Sequence, residues 1–203
     1  MSANMVTSPI FSGAGEMMYL GSSLLDEQRR HALTWIGGEG PDGAQGLWEF
    51  IPDPGGQSYY RIRHAAQQEY LYVGSNLLPC GSRRIALSWV GGGSHPSSEG
   101  AAGVWEVLSA GPNRPLGSFR LKNVGTGEYL YIGSTTLPCD SRRLVLTWVG
   151  GGEVDGDNGV WTIPNLAPGA WRADATPAPA PMMDAAAARE DRTRQMGAAS
   201  GAI

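Results

Sequence analysis

The chain has 203 residues, a formal net charge of −4 and a pI near 5.3, a balance that argues against a protein built to bind nucleic acid. With Gly 30, Pro 14 and only 17% charged residues, the composition excludes a helical bundle and fits many short strands joined by tight turns. The first residues, Met1 to Met5, carry neither a basic nor an apolar signal region, and no stretch approaches the roughly 20 apolar residues of a membrane span. A cytoplasmic protein without a membrane span is therefore expected.

Residues 5–11 come first and read as a strand spoiled by Pro9, hence an irregular edge. Next stands Glu16-Met17-Met18-Tyr19-Leu20-Gly21-Ser22, then Arg29-Arg30-His31-Ala32-Leu33-Thr34-Trp35, a Gly-rich loop, and Gly46-Leu47-Trp48. The series recurs. Tyr60-Arg61-Ile62-Arg63-His64 alternates apolar with polar and predicts a half-buried strand. It leads into Glu69-Tyr70-Leu71-Tyr72-Val73-Gly74-Ser75, then Arg83-Arg84-Ile85-Ala86-Leu87-Ser88-Trp89, and later Gly103-Val104-Trp105. The third copy is the most regular. Phe119-Arg120-Leu121-Lys122-Asn123 precedes Glu128-Tyr129-Leu130-Tyr131-Ile132-Gly133-Ser134, then Arg142-Arg143-Leu144-Val145-Leu146-Thr147-Trp148, and finally Gly159-Val160-Trp161.

The copies start 53 and 59 residues apart, and a fixed period decides the architecture. Each copy predicts four strands. In the second, Leu130 and Ile132 share one face and Tyr129 and Tyr131 the other. In the third, Leu144, Leu146 and Trp148 share a face, opposite Arg143, Val145 and Thr147. The fourth points Trp48, Trp105 and Trp161 inward, with Phe50, Val107 and Ile163. The repeated tryptophans as a set are expected inside. A propeller needs four or more blades, more chain than is present. Three units close differently, as a six-stranded barrel capped by three hairpins with pseudo-threefold symmetry. In this pattern the chain resembles the β-trefoil superfamily over about residues 5–165, with repeats at about 5–55, 58–109 and 117–165. It is similar to its non-enzymatic members: ricin-B-type lectins, fascin-like and hisactophilin-like modules, and the C-terminal trefoil of insect 30K lipoproteins. The resemblance implies a binding module, not an enzyme. Ricin-B-type lectins carry Gln-x-Trp in the fourth strand where this chain has Gly-x-Trp, which keeps the tryptophan and weakens transfer of their sugar site.

The candidate site residues are those that repeat. Tyr19, Tyr72 and Tyr131 lie on the strand face away from the barrel, in the same repeats as Glu69 and Glu128 and as the arginines Arg30, Arg84 and Arg143. Tyrosine beside Arg and Glu suits a sugar: an apolar plate for C–H groups and planar polar groups for hydroxyls. The competing reading is packing for the tyrosines and a repeated hairpin salt bridge for Glu and Arg. Carbohydrate binding at up to three equivalent weak sites on a glycan or glycoprotein is the leading expectation, centred on Tyr72 with Arg84 and Glu69 and on Tyr131 with Arg143 and Glu128. A protein-interaction module, of the cytoskeletal, scaffold or protease-inhibitor kind, is the alternative. Arg61, Arg63, Arg120 and Lys122 form a modest basic stripe, read as a solvated face.

No catalytic, cofactor or metal signature stands out. His31, His64 and His95 occupy non-equivalent positions, and Asp155-Gly156-Asp157-Asn158-Gly159 lacks the longer ligand series of a calcium loop. Cys80 and Cys139 are equivalent by repeat, too far apart about a threefold axis for a disulfide, and are read as free thiols. Residues 166–203 form a Pro/Ala-rich tail, with a stiff Thr176 to Pro181 linker and a short Met182 to Met196 helix. The tail is expected to be mostly disordered, or to recruit a protein partner.

Overall fold

The structure is a computed structural model that describes residues 5–37, 40, 43–90, 100–138, 141–150, 154 and 156–166. Cys139, Asp155, His95, Trp171, the linker and the helix of the tail lie outside these residues. The described chain is all β with three short 3-10 turns. The first repeat holds β1 (Val6–Pro9), β2 (Phe11–Ser12), β3 (Met17–Leu24), β4 (Arg29–Trp35) and β5 (Leu47–Pro52). The second holds β6 (Tyr59–His64), β7 (Leu71–Leu77), β8 (Arg83–Trp89) and β9 (Val104–Ser109). The third holds β10 (Ser118–Asn123), β11 (Tyr129–Thr136), β12 (Arg142–Trp148) and β13 (Trp161–Thr162).

Antiparallel pairing runs β1–β5–β6–β9–β10–β13–β2, and since β1 and β2 are halves of one strand, the ring closes as a six-stranded barrel. The hairpins β3/β4, β7/β8 and β11/β12 form the cap. There β4, β8 and β12 pair with one another in a triangle, the start of each opposite the end of the next. This is the expected β-trefoil, with one correction. Pro9 splits the first strand instead of leaving it at an edge. Ile10, at the break, is fully buried in the core, and the two halves bridge the first and last repeats.

The alternation of strand four places Trp48, Trp105 and Trp161 fully inside. Each indole Nε1 donates to a backbone carbonyl of its own repeat, Met18, Leu71 or Leu130, at 3.0 Å in every case, so the polar end of each ring is satisfied. Strand three corrects the expectation that all the tryptophans lie inside. Its inward residues are Ala32, Ala86 and Val145, which join the core, while Trp35, Trp89 and Trp148 take the outer face and stay half-buried. Three strands converge where the cap closes, so the inner layer there takes small side chains and the large ones turn outward. Gly74 belongs to the same crowding: a Cβ would stand 3.0 Å from both the Ile85 carbonyl oxygen and Leu87. Strand β7 shifts register just beyond it.

Each repeat also ties its turn before strand two with a polar side chain. In the third, Asn123 donates from Nδ2 to the Ala102 carbonyl at 2.8 Å and accepts from the amides of Gly125 and Thr126. In the second, His64 does the same work: Nε2 faces the Gln45 carbonyl at 2.7 Å, and Nδ1 accepts from the Gln67 amide at 3.1 Å. Only the neutral ring, protonated on Nε2, satisfies both. Burial pushes its pKa below the ordinary value. The unfolded chain therefore takes up a proton at about pH 6.5, where the folded chain refuses it. His64 stability is complete above that pH and is lost as pH falls from there through the lowered folded value. His64→Asn, copying the third repeat, is expected to flatten the fall in melting temperature between pH 7.5 and 5.5, leaving the share of His31, which burial shifts the same way. Equal pH dependence of the two proteins would refute the assignment.

Candidate functional site

The repeated glutamates are buried, with Glu16 6%, Glu69 2% and Glu128 3% exposed. Each accepts a hydrogen bond from the hydroxyl on strand three of its own repeat: Thr34 to Glu16 at 2.6 Å, Ser88 to Glu69 at 2.6 Å, Thr147 to Glu128 at 2.5 Å. Each also meets the second arginine of the preceding repeat. Arg30 Nε lies 3.0 Å from Glu69, Arg84 Nε 2.9 Å from Glu128, and Arg143 Nη1 3.4 Å from Glu16. The three pairs run head to tail around the pseudo-axis. Arg30 and Arg84 also donate to the backbone carbonyls of Ser22 and Ser75 in their own hairpins. Register produces this: Arg30 stands opposite Ser88, Arg84 opposite Thr147, and Arg143 opposite Thr34.

Of the expected groupings, Tyr72 and Arg84 line one cavity, whereas Glu69 is held by Arg30 and Ser88. Around Tyr131 the guanidinium is that of Arg83, while Arg143 is paired to Glu16 and Glu128 to Arg84. Tyr19 packs edge-on against Trp35, ring centroids 6.3 Å apart.

The open chemistry lies on the outer face of the cap, one tyrosine and one strand-three tryptophan per repeat. The first arginine of the preceding pair completes each set, because Arg29 stands opposite Trp89, Arg83 opposite Trp148 and Arg142 opposite Trp35. The second-repeat cavity, about 410 Å³, is lined by Arg29, Tyr72, Ser75, Arg84 and Trp89. The third-repeat cavity, about 390 Å³, is lined by Arg83, Tyr131, Ser134, Trp148, Val154 and Asn158. Burial raises the pKa of both Tyr72 and Tyr131, and the guanidinium beside each pulls it partly back. Both phenols are neutral donors at neutral pH.

Sequence reasoning named the tyrosines, placed Trp89 and Trp148 in the core with sugar stacking as the lesser reading, and missed Arg29 and Arg83. Alternation held the signal, since Arg142 shares parity with Leu144, Leu146 and Trp148, as Arg83 does with Trp89. The stripe on strand one is largely neutralised within the chain: Arg61 pairs with Asp53 at 3.1 Å and Arg63 with Glu49 at 2.6 Å. Arg63 and Lys122 also lie over the rings of Tyr70 and Tyr129. Asp157, from the loop that resembles a calcium site, pairs with Arg114. Cys80 is a free, exposed thiol. Among the described residues no helix is long and apolar enough to cross a membrane.

No family model matches the chain, and no curated protein matches it in sequence. Solved structures do. The SDF2-like protein from Arabidopsis thaliana aligns at 12% identity and a TM-score of 0.59, over 77% of this chain and 91% of that one. ThreeFoil, a designed 3-fold symmetric protein, aligns at 14% and 0.56, over 77% and 96%. The agglutinin from Rhizoctonia solani aligns at 11% and 0.54, over 80% and 96%. At such identities the likeness is one of fold: the chain is a β-trefoil.

Proposed function

We propose that this protein is a carbohydrate-binding module, with its sites on the outer face of the cap, one per repeat. The observation that carries this reading is the recurring set of a half-buried indole, a buried tyrosine and a guanidinium around an open cavity. An indole face covers the apolar C–H side of a pyranose, and planar donors at its edge take hydroxyl oxygens. Up to three weak sites on one rigid body add by avidity on a multivalent glycan. A free thiol at Cys80 accords with action in a reducing compartment such as the cytoplasm.

A glycan array tests this directly. Saturable binding is expected, and Trp148→Ala should weaken it about tenfold, an aromatic contact contributing roughly 1 kcal/mol or more. A flat array across neutral and acidic glycans removes the reading.

A second reading has one observation of its own: Leu24, Leu25 and Leu77 are exposed towards the hairpin ends of the cap. They favour contact with a protein there. Capture of one defined partner by the wild type, lost with Leu24→Ser and Leu77→Ser, supports it, and capture unaffected by those changes ends it.

A further inference from the structure

The two cavities share their aromatic walls and differ in what their guanidinium touches. In the second repeat Arg29 is satisfied from within the chain. Asp26, three residues earlier, pairs with it through Nε and Nη2, and the guanidinium lies beside the Tyr72 phenol. That pairing holds the Asp26 carboxyl below, and the Arg29 guanidinium above, their ordinary values. In the third-repeat cavity the residue three before Arg83 is Cys80, a thiol where the first hairpin has a carboxylate. Among the described residues Arg83 has no acidic partner. Its Nε is buried and makes no hydrogen bond, and the same is true of the Tyr131 hydroxyl, on a residue 6% exposed. Unfilled buried donors are costly, and a ligand that brings acceptor oxygens removes the cost. A carboxylate does so best, because its bonds to a guanidinium are charge-assisted and roughly twice as strong as neutral ones.

We infer that the third-repeat cavity is a receptor for a carboxylate carried on a sugar, a hexuronic acid unit. Arg83 and the Tyr131 hydroxyl donate to the carboxylate oxygens, and Trp148 lies against the pyranose. The second-repeat cavity, whose cation is already neutralised by Asp26, has no such preference. The inference rests on the carbohydrate-binding reading for its sugar and on the Asp26/Cys80 difference for its charge.

Calorimetric titration of the full chain with methyl glucuronide, methyl glucoside and acetate tests it. One glucuronide per chain is expected, bound about tenfold or more tightly than the glucoside and weakened by salt. Cys80→Asp gives Arg83 the counter-ion that Arg29 has; it should lower glucuronide affinity about tenfold and leave the glucoside unchanged. Asp26→Ala should release Arg29 and raise the glucuronide stoichiometry from one to two. Both positions are exposed, so unchanged melting temperatures are expected and separate binding from folding. Equal affinity for the two sugars, or a Cys80→Asp protein that binds glucuronide as before, overturns the inference and leaves the carbohydrate reading standing. Acetate as tight as glucuronide with no response to the glucoside overturns both, since the ligand is then a carboxylate without a sugar. Silence from all three probes overturns the inference and leaves the carbohydrate reading to the glycan array.

Discussion

Trp105→Ala is expected to lower the free energy of unfolding by about 3–5 kcal/mol, measured by urea denaturation with an unchanged m-value. The ring is fully buried among core residues of the barrel, in register with Tyr60 on one neighbouring strand and Asn123 on the other. Its removal leaves a cavity that closed strands on both sides cannot collapse to fill. It also strips the Leu71 carbonyl of its donor. Trp105→Phe separates the two effects, since the six-membered ring fills most of the space and only the hydrogen bond is lost, at about 1–2 kcal/mol. Trp148→Ala is the control. That indole is half-buried on the outer face, and its loss should cost about 1 kcal/mol of stability while weakening ligand binding about tenfold. Equal losses for Trp105→Ala and Trp148→Ala would mean that the inner and outer assignments are wrong.

That contrast also marks how far residues alone can be read. The triplication, the four strands per copy and the inward tryptophans of strand four follow from period and alternation, because in a closed barrel every strand has one wet and one dry side. Strand three resists the same logic. Both of its faces are apolar, Ala32 to one side and Leu33 to the other, so hydrophobicity does not say which is inside; the narrowing of the cap does, and that is a property of three strands meeting. The partners of Glu69 and Glu128 were hidden for a related reason. Comparing repeats reveals which residues are equivalent, whereas Arg30–Glu69 and Arg84–Glu128 join one repeat to the next through the register of β4, β8 and β12. The cavity follows the same rule, with Tyr131 and Trp148 from one repeat and Arg83 from its neighbour.

The inter-repeat pairs set the second large expectation. Arg84→Ala should destabilise by about 3 kcal/mol, because Glu128 would remain as a carboxylate 4% exposed at its side chain, with only the Thr147 hydroxyl to face. Glu128→Ala should cost a similar amount, leaving Arg84 and Thr147 without their acceptor, although Arg84, 24% exposed, recovers part of its hydration. The double variant is the informative one. With both charges gone no unpaired charge is buried and only the Thr147 hydroxyl lacks its acceptor, so its loss should fall short of the two single losses together by about 1–3 kcal/mol. The Arg143–Glu16 pair gives an internal comparison. It joins the last repeat to the first, its contact is 3.4 Å, and the Arg143 Nε makes no hydrogen bond. The same cycle at that junction should return a smaller coupling, because the guanidinium is less closely engaged. Additive losses at Arg84 and Glu128 would mean that the repeats are held by the core alone and that the ring of charges contributes nothing to closing it.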